Sequence, residues 1–183
     1  MPDAVMLYGP PAAGKDTVTK ALANADPTFV LFKRLKVGGG RTDTYRITTD
    51  DQIAALARAG EIIWQNSRYD ATYAVDRPEI QKMLMANMIP VLHLGQAEAI
   101  DVIRSAIPDV RWTVVELWCP KDLAEQRIRA RNTNDVAARL VAWDETPRLI
   151  PGQVDLGIDT SQTAPTESAI KIRHAMESSC PST

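Results

Sequence analysis

The sequence predicts a three-layer α/β sandwich around a mainly parallel sheet, and three observations carry that expectation. Short apolar runs of strand length alternate with helical patterns of roughly 10–15 residues. The first run, Ala4–Tyr8, breaks at Gly9-Pro10-Pro11 in the manner of a buried strand entering a loop. The chain has 183 residues, 45% hydrophobic and 24% charged, which suits one globular domain with its own core.

After Ala4–Tyr8 a helix is expected over about Lys15–Ala25, and Thr28–Phe32 is a second strand candidate. Gly38-Gly39-Gly40 forbids regular structure, and Thr44–Thr48 then alternates like a strand. Thr49 or Asp50 caps a helix through Ala59 with Ile53, Leu56 and Ala57 on one face, and Gly60 ends it. Glu61–Gln65 and Tyr69–Val75 predict a hairpin, followed by a helix with Pro78 in its first turn and Ile80, Leu84 and Met88 along it. Pro90–Leu94 and Trp112–Trp118 are strands separated by a helix over about Gln96–Ala106. Pro120 opens a helix that runs into arginines and is interrupted at Asn132-Thr133-Asn134. A helix over about Asp135–Asp144, a strand at Val154–Ile158 and a helix over Pro165–Met176 complete the order.

Composition excludes several classes. The two cysteines, Cys119 and Cys180, cannot build a disulfide framework, and with His93 and His174 they have no zinc-site spacing. Cys119 reads as an inert thiol at a helix start, without a partner for nucleophilic catalysis. No apolar stretch reaches about 18 residues, and the first one follows Asp3, so neither a membrane span nor a signal peptide is expected. The reading is a soluble, cytoplasmic protein of a reducing compartment, without a membrane partner. A net charge of −2 argues against a nucleic-acid partner. Yet Lys33, Arg34, Lys36, Arg41 and Arg46 stand against Asp43 alone in one window, and Arg127, Arg129, Arg131 and Arg139 against Asp135 in another. Two short cationic segments on a mildly acidic body suit a small polyanion.

Gly9-Pro10-Pro11-Ala12-Ala13-Gly14-Lys15 has the spacing of a phosphate-binding loop between a strand and a helix. There, Gly9, Pro10, Ala12, Ala13 and Gly14 shape a concave loop into which backbone N–H groups point, the helix N-terminus adds positive potential, and Lys15 reaches the outer phosphates. ATP is the implied cosubstrate. Asp16 stands where Ser or Thr usually offers magnesium a hydroxyl, and Thr17 follows it. Asp16 either holds Mg2+, directly or through water with Thr17 alongside, or favours the first helical turn by its charge.

With the loop, the basic segment around Lys33–Tyr45, Tyr73 and the arginine-rich helix in this order, the chain resembles the guanylate-kinase branch of the nucleoside monophosphate kinases over nearly its whole length. The resemblance implies a single P-loop kinase domain with an inserted acceptor-binding subdomain over about 33–89 and an arginine-rich lid over about 127–139. It implies that Arg34 (or Lys33), Lys36, Tyr45 and Tyr73, with Arg41 in the same segment, grip an acceptor phosphate. It further implies that Lys15, Arg127, Arg131 and Arg139 neutralise charge on the transferring group. The base-reading glutamate and aspartate of that family correspond to about Gln65 and His93. Gln65 offers one acceptor and two donors, which does not suit a guanine edge; otherwise it is an exposed hairpin residue and His93 a hydrogen-bonded strand residue. A second resemblance is to the ribose 1,5-bisphosphate kinases, carried by Asp16 after the loop lysine and by Leu92-His93-Leu94-Gly95.

The leading expectation is ATP- and Mg2+-dependent phosphoryl transfer to the phosphate of a nucleoside monophosphate or nucleotide-like small molecule, by a monomer or homodimer. Alternatives are a kinase of a sugar phosphate or of a metabolite hydroxyl, with Asp43, Asp50 or Asp51 as base, a non-catalytic interaction domain, and a bare ATPase. Trp64 is a candidate to stack on a base; Trp112, Trp118 and Trp143 read as core.

Overall fold

Alternate residues of the first strand, β1 (Asp3–Tyr8), feed two different cores, and this builds the layers. The computed structural model describes residues 1–68, 70–131 and 135–178. The expected break at Asn132-Thr133-Asn134, the strand start at Tyr69 and Cys180 lie outside the described residues. Along the chain follow α1 (Lys15–Ala25), β2 (Phe29–Leu31), β3 (Leu35–Val37), β4 (Arg46–Ile47), α2 (Asp50–Arg58), β5 (Ile62–Arg68), β6 (Ala71–Asp76) and α3 (Arg77–Met85). Then come β7 (Ile89–Leu94), α4 (Glu98–Ala106), β8 (Arg111–Trp118), α5 (Lys121–Ala130), α6 (Val136–Asp144), β9 (Leu156–Asp159) and α7 (Pro165–Ser178).

Five strands form a parallel sheet in the order β2-β7-β1-β8-β9. Ala4, Met6 and Tyr8 pack with Ile80 and Met83 of α3 and Ile100 and Ile103 of α4 on one face. Val5 and Leu7 pack with Val18 and Leu22 of α1 and Ile172 and Met176 of α7 on the other. The mainly parallel α/β fold is therefore the one the sequence predicts, with both sheet faces buried as parallel strands require.

A second sheet, ordered β4-β3-β6-β5, is inserted between β2 and α3. Leu35, Ala74 and Gln65 are cross-strand partners, and Leu35 and Ala74 pack on Ile53 of α2. Lys36, Tyr73 and Asn66 are the next set of partners, so they occupy the opposite face. Farther along that same face, Val75 and Trp64 run into the core beneath α3 and α4. Thr49 and Gln52 close a capping box at the start of α2. Asp76, 3% exposed, caps α3 and holds Arg46 of β4, tying the inserted sheet to the main body.

Several boundaries differ from expectation. β3 has no counterpart among the expected strands, because three residues before a glycine run carry no periodicity. The strand expected at Thr44–Thr48 shrinks to Arg46–Ile47, since the Tyr45 amide closes a turn on the Thr42 carbonyl. Met88 lies beyond α3: Asn87 takes φ 55°, and the Met88 amide returns to the Met83 carbonyl, ending the helix. The last strand begins at Leu156 rather than Val154.

Candidate functional site: a phosphate loop facing a cationic, aromatic sheet face

The loop after β1 is shaped by close approaches. A side chain at Gly9 would place its Cβ 2.2 Å from the Leu117 carbonyl oxygen, so only glycine fits. Ala12 takes φ 63°, and Gly14, at φ 99°, is the N-cap residue from which α1 begins. Such a left-handed alanine is costly and persists where surroundings hold it. Here the Ala12 carbonyl accepts a hydrogen bond from Arg127 Nη1 at 3.1 Å, with Cys119 Sγ at 3.9 Å on the same oxygen. Arg127 Nη1 and Nη2 also donate to the Thr160 hydroxyl and carbonyl at 3.1 and 3.0 Å. Thr160 Oγ1 in turn lies 3.0 Å from the Ala13 carbonyl oxygen.

Lys15 bends back over this loop, with Nζ donating to the Gly9 and Pro10 carbonyls at 2.5 and 2.9 Å. Burial, aided by Arg34 and Arg131, lowers its pKa from 10.5 to about 7, against the pull of Asp16. Asp16 accepts from Arg41 Nη1 at 2.7 Å and lies 3.5 Å from His93 Nδ1. Burial alone would raise the Asp16 carboxyl, but Arg41, His93 and Arg131 together hold it below its usual range. Thr17, by contrast, is exposed on α1.

His93 follows from sheet register. It pairs with Leu7, so its ring turns to the α1 face, where Nε2 meets Thr19 Oγ1 at 2.7 Å. Burial, with Lys15, Arg34 and Arg41 nearby, drives its pKa down to about 3 despite Asp16, which keeps it neutral. His93 thus stands between Thr19 and Asp16.

On the inserted sheet, the Arg34 guanidinium lies 5.0 Å from the Tyr73 ring centre and 5.8 Å from that of Tyr45, and the two rings are 5.2 Å apart. Lys36, 2% exposed, sits within 5.2 and 5.7 Å of the same rings. Its ammonium already donates to the Gly39 and Arg41 carbonyls at 2.5 and 2.7 Å, so it clamps the glycine loop. The Lys33 carbonyl accepts from Arg46 Nε at 2.8 Å, and Arg34 and Lys36 are the basic residues seen beside the tyrosines. Burial, followed by the charge of Arg139, lowers the Lys36 pKa, and Arg139 itself pairs with Asp135 at 2.7 Å.

Gln65 does not join these groups. The hairpin register sets it on the α2 side, exposed, and places Asn66 on the face of Tyr73 and Lys36 with its Oδ1 buried and unpartnered. The extra residue in β5 between Ile62 and Trp64 makes counting along the strand unsafe. Thr160, Thr19 and Asn66 escaped sequence reasoning because none belongs to a motif.

Among the described residues no group of three or more His, Cys, Asp or Glu side chains is set to hold a metal. The donor chemistry fits a cation bound mostly by nucleotide phosphates with Asp16 as the protein carboxylate, which is the usual mode for Mg2+. No helix of the described residues is long and apolar enough to cross a membrane.

Over residues 2–177 the sequence matches the family described as chloramphenicol phosphotransferase-like protein. No functionally curated protein shows significant similarity to the chain. Among solved structures, a guanylate kinase from Anaplasma phagocytophilum superposes with TM-score 0.65 at 15% identity, over 100% of this chain and 88% of that one. A sugar kinase from Janibacter sp. HTCC2649 gives TM-score 0.58 at 15% identity, covering 97% and 95%. A gluconokinase from Sinorhizobium meliloti 1021 gives 0.56 at 16% identity, covering 97% and 93%. At such identities these likenesses speak for the fold, and the family match adds the chemistry: the chain belongs to the chloramphenicol phosphotransferase-like family and is a P-loop small-molecule kinase.

Proposed function

We propose that the protein transfers the γ-phosphoryl group of ATP, with Mg2+, to the phosphate of a nucleoside monophosphate or nucleotide-like small molecule. The observation that carries this reading is the Arg34–Tyr45–Tyr73 cluster, a guanidinium over two tilted rings. The half-buried Tyr45 ring suits a planar ring, with Tyr73 buried behind it, and the guanidinium suits a phosphate. Asn66, on the same face, offers a carboxamide to a ring edge.

A phosphate acceptor is already anionic, so transfer needs positioning and charge neutralisation rather than a strong base. The titratable side chains beside the loop agree: His93 is neutral and engaged with Thr19, while Asp16 and Asp43 are both paired with Arg41. In this reading the loop amides and Lys15 bind the ATP phosphates. Arg131, at the end of α5 and in electrostatic reach of Lys15 and Asp16, faces the transferring group with Arg139. Arg127 acts as a brace of the loop. Asp16 would hold the Mg2+ that comes with the nucleotide, which would supply further charge neutralisation.

A second reading is transfer to a hydroxyl. It draws on the printed names of the family and of the sugar kinase and gluconokinase, and on a largely apolar cavity of about 410 Å³ between α1, β2 and residues 41–44. Asp16, Asp43 and His93 are among the residues that line it. ADP release from Mg·ATP separates the readings across nucleoside monophosphates, ribose 1,5-bisphosphate, sugars, gluconate, chloramphenicol and acceptor-free buffer. Stimulation by a nucleotide supports the first reading, and stimulation by hydroxyl acceptors alone replaces it with the second.

A further inference from the structure

Asp16 already has a cation. Its Oδ2 accepts from Arg41 at 2.7 Å, and its Oδ1 lies 3.5 Å from His93 Nδ1. Arg41 belongs to the glycine-rich segment between β3 and β4, where Gly38 and Gly40 take φ 116° and 80°. Lys36 fixes the inner side of that segment through the Gly39 and Arg41 carbonyls. Its outer side is fastened to the phosphate loop by Arg41 alone among the described hydrogen bonds and ion pairs. A divalent ion and a guanidinium compete for one carboxylate, because like charges at contact distance repel.

We propose that Arg41 is the resident counter-cation of Asp16 and is exchanged for the divalent cation that enters with the nucleotide, which releases residues 38–45 from the phosphate loop. The proposal rests on the ATP and Mg2+ reading above and adds the order of events. On leaving Asp16, Arg41 keeps Asp43, whose carboxylate it holds through Nε and Nη2 at 2.6 and 3.1 Å, so no charge is stranded. Arg41, Asp43 and Thr44 also wall the 410 Å³ cavity against Asp16, Thr19 and His93. Exchange at Asp16 therefore loosens that wall once metal and nucleotide are in place.

The test combines calorimetry with hydrogen exchange on the full chain, using ADP with Mg2+ or with a chelator. In the wild type, Mg·ADP is expected to speed amide exchange over 38–45 while metal-free ADP does not. In Arg41→Ala exchange is fast throughout, and the Mg2+-dependent gain in ADP affinity grows about two- to five-fold, the size of a half-exposed ion pair. Arg41→Lys, which keeps a cation, stays near the wild type. Asp16→Asn also exchanges fast without nucleotide and loses the Mg2+ gain. An unchanged Mg2+ gain in Arg41→Ala, or protection rather than release of 38–45 by Mg·ADP, overturns the exchange. Absence of ADP binding in every form, with or without metal, overturns the ATP reading beneath it.

Discussion

The Ala12 carbonyl oxygen accepts a hydrogen bond from Arg127 Nη1 at 3.1 Å, joining the one left-handed alanine of the phosphate loop to the helix that carries the arginines. Thr160 completes the brace through two further bonds to the same guanidinium. Removing it leaves half-buried carbonyls without donors and a strained residue without support. Arg127→Ala is expected to lose about 2–3 kcal/mol in urea unfolding and to weaken ADP binding together. Arg127→Lys recovers little, because an ammonium cannot reproduce a fork that serves two segments. Wild-type stability in Arg127→Ala, with loss of turnover alone, would instead place Arg127 on the phosphates.

Asn66 and Gln65 make opposite predictions. Asn66 shares the face of Tyr73 and Lys36, while Gln65 shares that of Ala74 and Leu35 against α2. Asn66→Ala is expected to raise KM for the acceptor about ten-fold with little change in KM for ATP, the scale of one lost hydrogen bond in a shielded site. Gln65→Ala leaves both unchanged. A Gln65 effect without an Asn66 effect would show that the acceptor does not lie on this face.

The contrast marks what the sequence made legible. Gly9 to Lys15 was readable because a phosphate loop is local: its glycines and lysine act within one turn of chain. Helix α2 was readable from its cap and periodicity, and α1, expected after the loop, has the predicted bounds. The parallel order followed from alternation of strands and helices. Which side of a strand a residue occupies at the inserted hairpin was not readable, because one irregularity between Ile62 and Trp64 reverses every later side chain. Nor were the Arg41–Asp16, His93–Thr19 and Arg127–Thr160 contacts, which span 25, 74 and 33 positions.

His93 predicts an acid dependence of stability. Its folded pKa, near 3, lies below the ordinary 6.5, so the stability its neutral form confers is complete above 6.5 and is lost as pH falls toward 3. The melting temperature of the wild type is therefore expected to fall between about pH 7 and pH 5 more steeply than that of His93→Gln, which has no proton to take up. Parallel slopes in the two proteins would show His93 to be freely protonated in the fold.

Lys15 predicts proton uptake on nucleotide binding. In the free protein its ammonium rests on the Gly9 and Pro10 carbonyls, and burial brings its pKa to about 7. Phosphate oxygens arriving beside it favour the charged form, so the bound pKa is higher than the free one. Between those two values the complex holds more protons than the free protein. Affinity for ADP should thus fall as pH rises above about 7, by up to ten-fold per unit, until the bound lysine itself titrates. Calorimetry at about pH 8 in buffers of different ionisation heat measures the uptake directly, and it should approach one proton. Lys15→Arg stays charged throughout and should take up none, even where its geometry still admits ADP. Equal heats in all buffers for the wild type would mean that Lys15 is already charged in the free loop, held there by the two carbonyls and Asp16 against the cost of burial.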